Sequence, residues 1–141
     1  MARTSFPVEV LTPEGEVFAD EVEMVSTKTS VGSIGVLAHH APLLAMLDPT
    51  ELRLYKSDSD VVRFAQAEGY LQVASNRALL LVEEAHEAGS LDAGELRERL
   101  QQAERELEQA GEDSERRRVA ERDKNRWETF LEIAEGSRSS R

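Results

Sequence analysis

Two adjacent histidines, His39 and His40, are the first residues whose side chains could do chemistry. Neighbouring residues in an extended chain point to opposite faces, so two imidazoles at this spacing do not meet one metal ion unless the loop turns sharply. The one other histidine, His86, lies far along the chain, and there is no cysteine. The pattern therefore favours structural or interface histidines, and it predicts no metal site.

Two further motifs lack the features of a catalytic site. Glu83 and Glu84 follow an apolar strand and point to opposite faces, which indicates a solvated edge rather than a pair for acid–base catalysis. The segment Gly32-Ser33-Ile34-Gly35 lacks the glycine spacing and the following Lys-Ser or Lys-Thr of a phosphate-binding loop. We interpret it as a tight turn in which both glycines take backbone angles closed to other residues. The sequence contains no evident pairing of a nucleophile with a base, and it predicts a non-catalytic protein.

Arginine is concentrated towards the end of the chain, at Arg116, Arg117, Arg118, Arg122 and Arg126. The last three recur every four residues, so they line one side of a helix. Like charges at this spacing disfavour an isolated helix by about 0.2–0.5 kcal/mol per pair. Two interpretations stay open: a solvated face balanced by neighbouring acids, or a stripe that meets an acidic partner.

Residues 1–90 have the pattern of short β-strands. Apolar and polar residues alternate over residues 6–10, as expected for a half-buried strand. Turn signals such as Thr12-Pro13-Glu14-Gly15 and Ser57-Asp58-Ser59-Asp60 separate such segments. Strands of this length with regular turns predict a β-sandwich or barrel.

Residues 91–141 change to a helical period. The apolar positions of the first helix step by four and three along Leu96, Leu100, Ala103, Leu107 and Ala110. Asp92 resembles an N-cap, and Gly111 supplies a left-handed C-terminal cap. A second helix is predicted from about residue 113 or 114 to 135, closed by Gly136, with a disordered end from about 137. Its stripe is thin (Ala120, Trp127, Leu131 and Ala134), so the antiparallel pair is only marginally held closed.

Composition excludes several partners. The net charge is −11, which opposes binding to nucleic acid and to anionic lipid. No segment approaches the ~20 apolar residues needed to span a bilayer, so we expect no membrane insertion. The N-terminal residues lack the apolar core of a signal peptide.

Three segments carry a resemblance to a known family. Three parts of the chain resemble, in this order, the motifs of epsilon subunits of rotary ATP synthases: the run from Gly32 to Leu43 (GSIGVLAHHAPL), the segment Glu68–Val73, and the turn residue Asn76 with the strand Leu79–Ala85. The resemblance implies a flattened β-sandwich of about ten strands, followed by an antiparallel two-helix hairpin. It also implies a non-catalytic rotor subunit that couples proton-driven rotation to ATP synthesis, at the cytoplasmic face of the bacterial plasma membrane.

The resemblance further implies roles for individual residues. The sandwich would bind the gamma subunit through His40, Pro42 and Leu43, and the c ring through Gly32, Ser33, Ile34 and Gly35. The hairpin would extend to the alpha and beta catalytic subunits and restrain ATP hydrolysis through the five arginines given above. Ser33 stands where many relatives carry an acid, and Ala38 replaces a frequent proline.

Some relatives bind ATP on this hairpin, but here Glu95 replaces the expected arginine. We therefore expect no cofactor. The alternatives are a nucleotide-sensing variant of the same subunit and an unrelated β-sandwich adaptor with a coiled-coil arm.

Overall fold

The computed structural model describes residues 3–139. The chain divides into two compact units, one that ends at Glu87 and one that begins at Ala88. The first unit contains β-strands and the second contains helices. This confirms the predicted fold class, a β-sandwich of ten strands followed by two antiparallel helices.

Ten strands make up the first unit: β1 (Phe6–Thr12), β2 (Gly15–Val22), β3 (Met24–Thr29), β4 (Gly32–Leu37), β5 (Leu43–Leu47), β6 (Thr50–Tyr55), β7 (Val61–Gln66), β8 (Gly69–Ala74), β9 (Arg77–Val82) and β10 (Ala85–Glu87). Their spatial order is β10-β7-β6-β3-β5-β8-β9-β1-β2, and β4 pairs with β3 outside this path. Most neighbours are antiparallel, but β1 pairs in parallel with β9, with Val8 opposite Ala78.

The hydrophobic core lies between the two layers of the sandwich. Alternate residues of β1 (Phe6, Val8 and Val10) are at most 1% exposed, and Leu71 and Leu80 from the neighbouring strands are fully buried. The layers also meet through aromatic packing, because the rings of Phe18 on β2 and Phe64 on β7 make an edge-to-face contact at 6.3 Å. The period of two in the sequence therefore corresponds to one face of each strand turned towards the core.

An ion pair joins the two layers at one end. The Lys56 Nζ atom lies 2.9 Å from a carboxylate oxygen of Asp20 on β2. The hydrogen bond to Lys56 lowers the pKa of Asp20, and the same bond raises the pKa of Lys56. Both side chains are partly exposed, at 37% and 48%, so this ion pair adds little to stability.

Gly69 permits the closest backbone approach in the sandwich. A Cβ atom at this position would lie 2.0 Å from the carbonyl oxygen of Leu81 and 2.7 Å from the Cα of Val82 on β9. Both neighbours are backbone atoms, so they cannot move aside as a side-chain end would. A glycine is therefore required where β8 begins.

Gly35 behaves differently from the prediction. We expected it to take backbone angles closed to other residues, but only Gly32 of that pair has a positive φ, at 139°. Gly35 lies inside β4, opposite Ser26, and a Cβ there would meet only the Met24 sulfur at an ordinary 3.8 Å. The prediction was wrong because the turn is made by residues 30 and 31, before the motif begins.

The second unit begins with a short 3-10 turn at Ala88–Ser90, followed by α1 (Ala93–Ala110) and α2 (Ser114–Ser139). The Asp92 carboxylate accepts a hydrogen bond from the Glu95 amide at 3.2 Å and caps α1. Gly111 ends α1 with a φ of 56°. The Asp92 cap agrees with the sequence prediction. Gly111 ends the helix as predicted, but its ψ of −119° lies outside the left-handed helical region that we predicted for it.

The end of α2 differs from the expectation. The helix includes Gly136 and continues to Ser139, so Gly136 does not close it. The backbone of residues 137–139 is helical, and the rest of the disordered end that we expected lies outside the described residues. In residues 3–139 we find no helix whose length and apolar character would let it cross a bilayer.

We predict that Gly69→Ala destabilises the protein by about 2–4 kcal/mol, because the added methyl group meets backbone that cannot yield. Gly35→Ala is the matched control: it also lies in a strand, has ordinary backbone angles and room for the methyl, and should change stability by less than about 1 kcal/mol. Urea unfolding followed by circular dichroism measures both. Equal midpoints for the two variants would show that the contact at Gly69 relaxes.

Candidate interaction surfaces

The histidines do not converge. The His40 Nδ1 atom lies 2.7 Å from the carbonyl oxygen of Ala41, and His86 on β10 lies 3.1 Å from a Glu84 carboxylate oxygen. His39 has a positive φ of 63° and an exposed side chain. Within residues 3–139, no three or more histidine, aspartate or glutamate side chains form a group that could hold a metal ion.

The β3–β4 hairpin presents a rigid, exposed tip. Val31 is 95% exposed at the turn. The Thr29 hydroxyl donates to the Gly32 carbonyl at 2.8 Å and accepts from the Val31 amide at 3.3 Å. The tip is also tied to β5, because the Ser30 amide donates to the Met46 carbonyl at 2.9 Å. These bonds hold an apolar side chain in solvent on a well-ordered turn.

The four residues that we predicted to form the c-ring-facing loop are the first residues of strand β4. Gly32, Ser33 and Gly35 are exposed, but Ile34 packs against the core. The prediction of an exposed corner therefore fits three of the four residues, and the adjacent Val31 is the outermost side chain.

The predicted gamma-contact residues lie at the β4–β5 loop (residues 38–42) and the start of β5. His40 is half-buried, and its amide donates to the Leu37 carbonyl at 3.2 Å. Pro42 is exposed. Leu43, however, packs against the hydrophobic core, so it is poorly placed to meet a partner, and its neighbour Leu44 is 71% exposed instead. The two alternate because successive side chains of a strand point to opposite faces.

A group of large apolar side chains covers the outer face of strands β5, β8 and β9. Leu44, Met46, Tyr70 and Leu81 are 71%, 58%, 50% and 45% exposed, and we call these four residues the apolar outer patch. Met46 lies opposite Tyr70, and Tyr70 lies opposite Leu81, so three of them form one row across the sheet. A hollow of about 440 Å³ beside Leu44 is lined by Pro42 and Leu43 and by residues 72–74. Contiguous apolar groups of this kind mark protein interaction sites.

Charged side chains form a cluster on the outward face of β6 and β7 by contrast. The Glu51 carboxylate accepts hydrogen bonds from Arg53 at 2.5 Å and from Arg63 at 2.7 Å. Burial opposes the charge on Glu51, but the hydrogen bonds from Arg63 and Arg53 outweigh it and lower the pKa of the carboxyl. The bond to Glu51 also raises the pKa of Arg53. The Glu51 carboxylate is therefore paired with the guanidinium groups of Arg53 and Arg63.

Small residues and a few cross-helix contacts join α1 and α2. Arg97 on α1 pairs with Glu135 on α2 at 2.9 Å. The Arg99 guanidinium lies 5.0 Å from the centre of the Trp127 ring, which itself meets Phe130 edge-to-face at 5.8 Å. Arg97, Arg99 and Glu135 are each about half-exposed. Exposed pairs of this kind contribute about 0–1 kcal/mol each.

The predicted basic stripe divides into two parts. Arg116, Arg117, Arg118 and Arg122 are exposed, but Arg126 is only 8% exposed, and its guanidinium lies 5.5 Å from the Trp127 ring. The expected single stripe is therefore wrong for Arg126 in this conformation, because four-residue steps drift around the helix.

Acidic neighbours pair with three of the four exposed arginines. Arg118 pairs with Glu115 at 2.6 Å, Arg117 with Glu121 at 3.5 Å, and Arg122 with Asp123 at 3.1 Å. The hydrogen bond from Arg118 lowers the pKa of Glu115, and the same bond raises the pKa of Arg118. In this conformation the exposed part resembles the first of the two interpretations, a solvated face with internal ion pairs.

The apolar outer patch was not predicted from the sequence. Its signal was present, because the outward positions of β5, β8 and β9 carry leucine, methionine and tyrosine where a solvated face should carry polar residues. The pattern was ambiguous because a mostly apolar strand is also compatible with burial on both faces. Only the register between strands places these residues side by side.

The chain resembles known proteins over nearly its whole length. A family model described as ATP synthase, Delta/Epsilon chain, beta-sandwich domain matches residues 5–88. The ATP synthase epsilon chain of Persephonella marina is 35% identical over 130 residues, which cover 92% of this chain and 96% of that protein. The ATP synthase epsilon chain of Sulfurihydrogenibium sp. is 30% identical over 129 residues, with the same coverage of 92% and 96%.

Solved structures with the same fold come from ATP synthases. A chain in the cryo-EM structure of the Euglena gracilis mitochondrial ATP synthase matches with a TM-score of 0.69 and 18% identity, over 96% of this chain and 81% of that one. A chain in the central stalk/c-ring structure of the Tetrahymena thermophila enzyme matches with a TM-score of 0.52 and 18% identity, over 64% and 72%. At this identity the likeness establishes the fold.

We predict that Arg99→Ala opens the contact between α1 and Trp127, the one tryptophan of the chain. Loss of the cation–π contact should cost about 0.5–1 kcal/mol and increase quenching of Trp127 fluorescence by acrylamide. Arg105→Ala is the control, since Arg105 bonds to Gln102 on its own helix. Equal quenching in both variants would contradict a role for Arg99 in joining the helices.

Proposed function

The chain belongs to the delta/epsilon family of ATP synthase subunits, and we propose that it joins the gamma subunit to the c ring in the central stalk. It is a non-catalytic rotor part that couples proton-driven rotation to ATP synthesis. The observation that carries this proposal is the apolar outer patch beside the β4–β5 loop. A protein with a net charge of −11 exposes there a surface without charge, which binding to gamma would remove from water.

The gamma contact that we propose has an apolar centre and a polar rim. Leu44, Met46, Tyr70 and Leu81 supply the centre, and His40 and Pro42 lie at its border. Tyrosine and methionine are typical of such centres, because they combine a large contact area with an adaptable or amphipathic side chain. The polar cluster of Glu51, Arg53 and Arg63 lacks these properties and is the poorer candidate.

We propose that the β3–β4 tip faces the c ring. The exposed end of this hairpin consists of Val31, Gly32 and Ser33. No carboxylate occurs in residues 29–35. The contact would therefore rest on apolar packing and backbone hydrogen bonds rather than on an acidic side chain. The bonds from Thr29 and Ser30 keep the tip ordered before it meets a partner, which lowers the entropic cost of binding.

The helical unit is proposed to restrain ATP hydrolysis by extending to the alpha and beta subunits. Its cross-helix contacts are exposed and individually weak, so separating α1 from α2 costs little. Separation uncovers apolar residues such as Leu96, Ala103 and Phe130, which a partner must then cover. Arg117, Arg118 and Arg122 would exchange their present acidic neighbours for acids on the catalytic subunits, and Arg116 would add a fourth positive charge to that contact.

The proposal includes no cofactor and no insertion into the membrane. Glu95 places a negative charge where an ATP site of this family has an arginine, and its carboxylate already bonds Arg99 at 2.6 Å. The chain would lie at the cytoplasmic face of a bacterial plasma membrane through its partners alone.

To test the gamma contact, we predict that Leu44→Asp weakens binding to the catalytic head containing gamma by about 30-fold or more, equivalent to ~2 kcal/mol. A carboxylate at the centre of an apolar contact loses its water without gaining a partner. Calorimetric titration of the head with each purified variant measures the affinity.

Leu37→Asp is the matched control for this test, because Leu37 is 45% exposed and lies on β4, outside the patch. It should bind like the unmodified chain. Equal affinities for Leu44→Asp and the unmodified chain would exclude the patch as the gamma contact, and a larger loss for Leu37→Asp would place that contact elsewhere.

For the helical unit, we predict that the double variant Arg118→Gln and Arg122→Gln raises ATP hydrolysis by the reconstituted complex about two- to tenfold, as expected for the loss of one or two charged contacts. Arg126 is left intact because it is buried and its replacement would disturb the closed helices. The measurement is the steady-state rate of phosphate release.

Two controls accompany the hydrolysis assay. Arg105→Gln removes an exposed arginine from α1 and should leave the rate unchanged, and deletion of residues 91–141 should raise it at least as far as the double variant. Hydrolysis that stays restrained in the double variant but rises on deletion would show that the arginines form only a solvated face.

A further inference from the structure

The β4–β5 loop is tied to the neighbouring β8–β9 turn by a side chain. The amide of His39 donates a hydrogen bond to the Asn76 Oδ1 atom at 2.7 Å. The two segments lie at the same end of the sheet, because Leu43 at the start of β5 is opposite Val73 near the end of β8. The bond joins residues that are 37 positions apart in sequence.

Backbone conformation makes asparagine well suited to this position. Ser75 and Asn76 have φ values of 51° and 60°, and Ala74 pairs with Arg77 on either side of them. A two-residue turn of this kind requires positive φ at both central positions, which asparagine and glycine tolerate best. Of these two residues, only asparagine also supplies a side-chain oxygen that can accept a hydrogen bond.

The loop itself carries a strained residue at the point where it is held. His39 has a φ of 63°, in the left-handed region that costs a non-glycine residue free energy. The bond to Asn76 satisfies the amide of this residue and offsets part of that cost. The next residue is fixed as well, because the His40 amide donates to the Leu37 carbonyl at 3.2 Å.

These constraints determine how the chain enters β5. Pro42, Leu43 and Leu44 follow directly, and Leu44 is the most exposed member of the apolar outer patch. A loop free to move at His39 would have to be ordered again at each encounter with a partner, and that entropy reduces affinity.

We propose that Asn76 is a positioning residue for the gamma contact: it holds the β4–β5 loop in its binding conformation and touches no partner itself. This inference rests on the function proposed above, namely that the loop and the patch bind gamma. The β8–β9 turn thereby gains a role in recognition, although none of the proposed gamma-contact residues lies on it.

Two variants of Asn76 separate its side chain from its backbone. Asn76→Gly keeps the positive φ and removes the acceptor, whereas Asn76→Asp keeps an oxygen acceptor at the same position. We expect Asn76→Gly to weaken binding to the catalytic head containing gamma about three- to tenfold, the equivalent of one hydrogen bond. Asn76→Asp should stay within about twofold of the unmodified chain.

Amide hydrogen exchange of the free, full-length chain provides the second measurement. The His39 amide should exchange about three- to tenfold faster in Asn76→Gly, while core amides such as that of Leu71 keep their rates. A general loss of stability would instead accelerate exchange throughout the sandwich. Unchanged exchange at His39, or equal loss of affinity in both variants, would overturn the proposal.

The two measurements also distinguish this inference from the function on which it rests. If the unmodified chain binds the head and Asn76→Gly binds equally well, the positioning role is wrong and the gamma contact stands. If the unmodified chain does not bind the head, the proposed function fails, and with it the role of Asn76 in recognition.

Discussion

The alternation of side chains along β5, β8 and β9 is the constraint on which the rest of the molecule depends. Leu71 and Leu80 point inward and are fully buried, and their neighbours Tyr70 and Leu81 point outward in the same strands. One strand therefore serves the core and the proposed partner surface at once. A shift of register by one residue would exchange the two sets, so stability and recognition are fixed by the same pairing. Gly69, at the start of β8, allows the backbones of β8 and β9 to approach closely enough for this pairing.

The fold could be predicted from sequence because its signals are local. Alternation along β1, turn residues between strands and the change of period after residue 90 each depend on a few neighbouring residues. Asp92 and Gly111 at the ends of α1 belong to the same class. Predictions were wrong where a local pattern is compatible with two structures. Gly35 is compatible with a turn and with a strand. Gly136 is compatible with a helix end, but the helix continues through it because the flanking residues are helical.

The candidate surfaces were less predictable because they depend on contacts between distant residues. The apolar outer patch combines side chains of three strands, and no single strand reveals it. Arg126 looked like its exposed neighbours in sequence, but the drift of a four-residue repeat around α2 gave it a different environment from that of Arg118. The bond between His39 and Asn76 links two turns that the sequence separates, although the asparagine at a two-residue turn was visible.

The parallel pairing of β1 with β9 has a consequence for synthesis on the ribosome. Residues 6–12 are made before the other strands of the sandwich, yet one edge of their strand stays without its partner until residues 77–82 have left the exit tunnel. Hydrophobic residues such as Val8 and Val10 can be sheltered early by the hairpin with β2, but the layers close only when nearly the whole unit is available. Ordering such a long loop is slow compared with forming the hairpins. The closing of the sandwich layers is therefore a late step in folding. Helices α1 and α2 leave the tunnel only after β9 has done so.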